Sequence, residues 1–402
     1  MHRPTTGAAK MSSAARRAIG RRPLARIGLA LLALGATILL AACGGGIEEL
    51  PENYGGSGGG DQVKIEGKPS GHLTISNWPL YIDKKTVPDF EKETGVSVKY
   101  VEDVNSNEEF FAKMQPLLAN GESGGRSLFV VTDWMAKKMK ELGYLQEFEP
   151  AAIPNFEKNL ADNLRGASYD PGRDFAAPWQ SGMTGVIVNK EKAPDIHSVC
   201  DLFDPKYKGK VDMVNELRDT VPLVMKCEGV DVEHATEADW LKAIEKLKGA
   251  AESGQVRRFT GNDYSTDLAN GNAIAAIGWS GDAVQLQADN PNIEWRMPEE
   301  GCILWSDNMV IPVGAPNPTA AEAWINYVYD PVHQAQIEAY VNYVSPVEGT
   351  KEVLLKKEPE IANNKLIFPP PSFTKNCSIQ PSPGTAKEEQ KINKAFIAVL
   401  SG

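Results

Sequence analysis

From His72 onward, short runs rich in β-branched residues alternate with helix-like stretches of about a dozen residues, and this rhythm restricts the fold more than any other feature. Residues 72–76, 96–101, 128–131, 185–189, 211–214, 273–278 and 303–312 read as strands. Residues 83–94, 107–119, 135–142, 221–227, 238–251, 319–329 and 386–400 read as helices. Alternation of this kind is the mark of βαβ units, so an α/β fold with a largely parallel sheet is expected. The body is about 330 residues, long for a single core, which points to two α/β lobes. No tandem repeat is present.

The N-terminus breaks this pattern. Residues 1–42 carry Arg3, Lys10, Arg16, Arg17, Arg21, Arg22 and Arg26 and no acid, and an uncharged run spans 27–42. That run has the size of a signal-peptide core and is short for a membrane span. It ends Leu40-Ala41-Ala42-Cys43, which resembles the bacterial lipobox, where cleavage precedes a Cys that is then lipidated. A lipoprotein signal over 1–42 and a lipid anchor on Cys43 are the expectation; a plain secretory signal, and twin-arginine export through Arg21-Arg22, stay open. Residues 43–70, with Gly44–Gly46 and Gly55-Gly56-Ser57-Gly58-Gly59-Gly60, read as a flexible tether. The GxSxG match inside it has no strand before it and no helix after it, so it is compositional.

The chain holds 42 Lys+Arg and 53 Asp+Glu; without the seven basic residues of the leader, 35 face 53, a formal charge of −18. So acidic a surface repels phosphate backbones and argues against nucleic-acid binding. Cys200, Cys227, Cys302 and Cys377 form an even set suited to disulfides outside the cytosol, and four cysteines leave three pairings open. No CxxC pair, HExxH or phosphate-loop motif occurs, and the five His are isolated, so no metal site, cofactor or catalytic constellation is expected.

Aromatic and acidic residues instead gather at strand ends, where open α/β sheets bind ligands. Trp78, Trp134 and Trp279 each follow an expected strand and Trp305 lies within one, whereas Trp240, Trp295 and Trp324 fall in helix or loop positions and read as structural. Glu216 and Asp219 follow residues 211–214, and Asp307 lies two residues after Trp305. Asp219 reads equally well as the N-cap of the helix containing Pro222. Rings attract ammonium groups and carboxylates accept their N–H donors. Together they suit an elongated ligand with methylenes between cationic ends.

Asn77-Trp78-Pro79-Leu80-Tyr81, residues 90–95, residues 130–139, residues 207–210, Ile303-Leu304-Trp305-Ser306-Asp307 with Ile311-Pro312, and Tyr343-Val344-Ser345-Pro346 resemble, in order, the spermidine/putrescine-binding proteins of bacterial ABC transporters. The resemblance runs from about residue 73 to residue 400. It implies a two-lobed periplasmic-binding-protein fold of type II, with a hinge and a ligand in the cleft between lobes. It places lobe 1 at 70–178 plus 307–353 and lobe 2 at 179–306 plus 354–402. Carried over by position, the ligand set is Trp78, Tyr81, Thr132, Trp134, Glu216, Asp219, Trp279, Trp305, Asp307, Tyr343 and Gln380. Pro79 stands where the family has a hydrogen-bonding Thr, Trp134 where it has Tyr, and Glu216 and Asp219 exchange the family's acid types. The resemblance also favours the pairings Cys200–Cys227 and Cys302–Cys377, each inside one lobe, which leaves closure free.

The expectation is therefore a non-enzymatic receptor, monomeric and lipid-anchored at the outer face of the cytoplasmic membrane or in the periplasm. It would capture spermidine or putrescine and deliver it to the permease of an ABC importer. Two other readings stay open: the same fold with another organic cation or small solute, and an exported hydrolase using Glu216 with Asp307.

Overall fold

Three strands and three helices open the body in strict alternation: β1 (His72–Asn77), α1 (Thr86–Thr94), β2 (Ser97–Glu102), α2 (Asn107–Leu118), β3 (Leu128–Thr132) and α3 (Asp133–Glu141). The computed structural model describes residues 68–401; the expected leader, Cys43 and nearly all of the tether lie outside the described residues. A short α4 (Pro154–Asn159) leads to the long β4 (Ala177–Asn189). A second alternating series follows: β5 (Val211–Val214), α5 (Leu217–Cys227), α6 (Glu237–Glu252), β6 (Val256–Thr260), α7 (Tyr264–Asn270), β7 (Ala275–Trp279), α8 (Ser280–Asp289) and β8 (Ile293–Arg296). The chain then runs back through β9 (Ile303–Val310) to α9 (Pro318–Val328), α10 (Pro331–Val341), α11 (Thr350–Lys357), α12 (Pro359–Ala362) and α13 (Pro371–Thr374). It ends with β10 (Ser378–Ile379) and α14 (Ala386–Leu400).

Local chemistry sets several helix starts. Ser106 caps α2 by accepting from the Glu109 backbone N–H. Capping boxes at Thr236/Asp239 and Thr385/Glu388 open α6 and α14. Helix α5 begins four residues before the expected start. Asp219 therefore lies in its first turn and Glu216 takes the N-cap position without making a side-chain capping bond.

The strands join one sheet in the order β2-β1-β3-β9-β4-β7-β5-β6, with β10 beside β9 and β8 beside β4. Within each flank the neighbours β1/β2, β1/β3, β5/β6 and β5/β7 are parallel, as the alternation implies. The largely parallel expectation fails at the centre, where β9 runs antiparallel to β3 and β4, and β4 antiparallel to β7 and β8. These two strands carry the chain from one flank to the other and back, a direction that apolar periodicity does not encode. The ends of β4 pair with different stretches of β9: Pro178 faces Asn308 on the first flank, and Thr184 faces Ile303 on the second, past an irregularity between Pro178 and Gln180.

Trp295, expected in a helix or loop, lies in β8 opposite Ile187, while Trp240 and Trp324 are buried in α6 and α9. Disulfides join Cys200 to Cys227 and Cys302 to Cys377, with Cα separations of 5.3 and 4.3 Å. The expected boundary at 353/354 falls inside α11, which packs through Leu354 on Ala335 of α10 and Ala362 of α12.

Candidate ligand-binding cleft

A cavity opens where the two flanks meet across β4 and β9. Of the eleven ligand residues expected from sequence, ten line it, and they are joined by Pro79, Asn107 and Asn262. Trp134 is absent from the lining; its ring lies under the Arg218 guanidinium, 3.6 Å from carbon to ring centroid. Because α3 starts at Asp133 directly after β3, Thr132 is the last strand residue to face the cavity and Trp134 is already on the helix.

Five rings form a continuous chain along the cavity. Trp78 meets Trp279 at 6.0 Å, Trp279 meets Trp305 at 6.4 Å and Tyr343 meets Tyr81 at 5.1 Å, all edge to face, while Trp305 meets Tyr343 at 5.5 Å with the rings tilted by 58°. Edge-to-face contacts of this kind fix ring orientation and contribute about 0.5–1.5 kcal/mol each beyond burial. Two backbone features make room for them. Leu80 adopts φ 58°, a left-handed conformation rare for a leucine, in the tight turn between Trp78 and Tyr81. Gly182 lies so close to Trp305 that a Cβ there would meet the ring at 2.4 Å.

The three acids are buried and held by neutral donors. Asp307 accepts from Tyr81 Oη at 3.0 Å and Thr132 Oγ1 at 2.8 Å. Glu216 accepts from the Asn107 backbone N–H at 2.9 Å and Asn107 Nδ2 at 3.3 Å. Asn107 Nδ2 also donates to Thr132 Oγ1 at 2.8 Å, so one network spans Glu216 and Asp307. Asp219 accepts from Thr184 Oγ1, Gln380 Nε2 and Trp279 Nε1 at 2.8, 2.9 and 3.3 Å, and Trp305 Nε1 donates to Thr184 Oγ1 at 3.0 Å. The lining holds no Lys, Arg or His among the described residues.

Electrostatics follow from that arrangement. Burial pushes the Asp307 carboxyl up to about 7, against the donations from Thr132 and Tyr81. Burial also raises Glu216, and repulsion from Glu108 and Asp219 raises it further. Asp219 is raised by burial, opposed by its three donors. Carboxylates gathered in a dry site disfavour their own ionisation, and a cation brought between them reverses that cost.

A supporting carboxylate lies behind the rings. Asp282 accepts from Tyr343 Oη and Tyr264 Oη, both at 2.6 Å, and from Asn262 Nδ2 at 3.0 Å; Tyr264 Oη in turn accepts from the Trp279 backbone N–H at 3.0 Å. Asn107, Asn262 and Asp282 escaped the sequence reading. Asn107 is a neutral residue at a helix start, and Asn262 follows β6, whose Arg257 and Arg258 hide the strand pattern. Asp282 sits four residues into a stretch, 279–282, where only Trp279 drew attention.

Residues 85–369 match the family described as bacterial extracellular solute-binding protein. A spermidine/putrescine-binding periplasmic protein of Escherichia coli (strain K12) is 27% identical over 318 residues, covering 78% of this chain and 88% of that protein. A putrescine-binding periplasmic protein of Pseudomonas aeruginosa (strain UCBPP-PA14) is 29% identical over 353 residues, covering 82% and 92%. Among solved structures, a putative spermidine/putrescine ABC transporter protein from Listeria monocytogenes superposes with a TM-score of 0.74 at 29% identity, over 82% of this chain and 98% of that one. The α/β sheet with two flanks joined by β4 and β9 is thus the two-lobed fold of periplasmic binding proteins, and the chain belongs to the bacterial extracellular solute-binding protein family.

Proposed function

We propose that the chain is an extracytoplasmic receptor that captures a polyamine, spermidine or putrescine, for an ABC importer and catalyses no reaction. The observation that carries this reading is the cavity itself: three buried carboxylates, a chain of five aromatic rings and no basic side chain in the lining. Glu216 and Asp219 sit on one flank and Asp307 on the other. A diamine or triamine would place ammonium groups at separated carboxylates and methylenes against the rings, each ring contributing about 0.5–2 kcal/mol to a cation on its face. A neutral or anionic solute would leave the three acids unpaired in a desolvated site.

Capture is by closure of two lobes, with 70–178 and 307–353 moving against 179–306 and 354–402 about β4 and β9. Contacts between the flanks support this: Asn107 donates to Glu216, Trp78 meets Trp279, and Asn105 lies against Gly261. A ligand drives closure only through its higher affinity for the closed state. A micromolar site needs about −8 kcal/mol, within reach of a few such contacts after ordering costs. In the periplasm or at the outer face of the cytoplasmic membrane, a lipid on Cys43 would hold this receptor, as a monomer, beside the permease.

Isothermal titration of the purified chain with putrescine, spermidine, spermine and a neutral sugar tests the reading. One-to-one saturable binding of a polyamine, with no heat from the sugar, is expected. Flat titrations with every polyamine from folded protein would overturn it.

A further inference from the structure

Outside the cavity, a second set of charges joins the flanks, and its centre is Arg218, which lies between the cavity acids Glu216 and Asp219 in sequence. Arg218 is 3% exposed. Its guanidinium lies 3.6 Å from the ring centroid of Trp134, its Nη2 is 3.1 Å from Glu389 and its Nη1 is 3.7 Å from Glu108. Glu389 also pairs with Lys138 at 3.6 Å. Arg218 and Glu389 belong to α5 and α14, on the flank of β5 and β6; Glu108, Trp134 and Lys138 belong to α2 and α3, on the flank of β1 to β3. The Arg218–Trp134, Arg218–Glu108 and Lys138–Glu389 contacts therefore cross from one flank to the other, while Arg218–Glu389 stays within one.

We propose that Arg218 is a closure latch: a positioning residue that never meets the ligand but clamps onto Trp134 and Glu108 as the lobes shut, and so lengthens the time the ligand stays bound. The proposal rests on the reading of the cleft as a closing polyamine site. With the lobes apart, Arg218 keeps Glu389 and water, a pairing of the weak, solvated kind. With the lobes together it loses water and gains a ring face and a second carboxylate, an arrangement that suits the weakly hydrated guanidinium far better than an ammonium. Its Nε and Nη1 form no hydrogen bond, so the hold across the flanks comes from the Trp134 ring face and the nearness of Glu108, both of which exist only when the flanks touch.

The latch is tied to the ligand by sequence adjacency on both flanks. Glu216, at the α5 N-cap, receives Asn107, while two residues on Arg218 meets Glu108, the neighbour of Asn107. A cation seated on Glu216 and Asp219 fixes the first turn of α5, and the same turn carries Arg218 onto Trp134. The tryptophan that replaces the family's tyrosine thus offers the guanidinium a larger face, instead of offering the ligand one.

The test is stopped-flow binding of putrescine and spermidine to the full chain, followed by intrinsic fluorescence, for wild type, Arg218→Met, Trp134→Leu and the double variant. Each single change is expected to raise the dissociation rate about tenfold and leave association within twofold, and the double variant to match the worse single one. Multiplying effects, about a hundredfold in the double variant, would overturn the latch by showing that the two residues act independently, as would unchanged dissociation rates in both singles. Arg218→Lys keeps the charge without the planar face; it folds if Arg218→Met does not, and a dissociation rate equal to wild type would also overturn the proposal. If wild type binds neither polyamine, the ligand reading fails by itself. The latch is then read from the fraction of closed molecules in the ligand-free chain, by single-molecule energy transfer between dyes on the two flanks, where Arg218→Met is expected to lower that fraction about tenfold and an unchanged fraction rejects the latch.

Discussion

Carboxylates stand on both sides of the first turn of α5, and they differ in the partners they meet. Glu216 and Asp219, with Asp307 across the cavity, receive only neutral donors and are pushed above the ordinary carboxylate range. Glu389, on the other side of Arg218, is also raised by burial, but Arg218 and Lys138 outweigh that and hold it below its usual value. Glu389 is thus already met by the protein's own cations, while Glu108, the other acid beside Arg218, stays raised by burial, and the acids that line the cleft are left to an incoming cation. Neutral donors alone do not mark a cation site, since Asp282 has them behind the rings; Glu216, Asp219 and Asp307 combine them with a place in the cavity lining.

The largest effect should come from removing an acid or ring that has no substitute. Asp307→Asn or Trp305→Ala is expected to weaken polyamine binding at least about a hundredfold in calorimetry, since each loses a charge-assisted bond or a cation–ring contact in a dry site. Next is closure itself. A Cβ at Gly261 would meet Asn105 Oδ1 at 2.5 Å and its backbone oxygen at 3.1 Å. Overpacking costs about 2 kcal/mol, so Gly261→Ala should weaken binding about thirtyfold while leaving thermal stability without ligand near wild type. Equal losses in both measurements would mean that the two flanks do not part.

Protonation gives a smaller effect with a definite sign. The Asp307 carboxyl sits at about 7 in the folded protein, and a cation binds its ionised form. Affinity should therefore rise about tenfold between pH 6 and pH 8 and fall as pH drops through 7. Without ligand the dependence inverts. The folded state retains a proton that the unfolded chain gives up near pH 4, so melting temperature should decline from pH 5 to pH 8, and ligand should restore most at pH 8. A pH-independent affinity would erase the contrast between the cleft acids and Glu389. The smallest change belongs to Lys138→Ala. Lys138 is 37% exposed, and its loss should raise dissociation no more than about threefold, as for a solvated ion pair.

Much of the cleft was legible because strand ends are legible. A strand that ends at Val214 or Trp279 puts the next residues at the carboxyl edge of the sheet, so Glu216, Asp219 and Trp279 could be grouped before any geometry was known. The direction of β9 could not, because an apolar run reads the same either way. Trp134 shows the limit at a single position: one residue of helix separates it from Thr132, which was enough to turn the ring from the cavity to Arg218. Trp179, buried in β4 with its ring 6.3 Å from Tyr81, drew no attention because β4 begins at Ala177, eight residues before the strand expected at 185–189, which left Trp179 outside every expected strand.

Gln380 reaches Asp219 from the residue after β10, a strand of only two residues that pairs with β9 beside the Cys302–Cys377 bond. Two residues of pairing hold little by themselves, whereas the crosslink spans 75 residues of sequence and removes a large part of that loop's freedom. The donor to Asp219 is therefore set in place by oxidation as much as by folding. A freshly translocated, still reduced chain would carry an unfinished cleft, so competence for capture arrives with the last thiol, on the same side of the membrane as the solute.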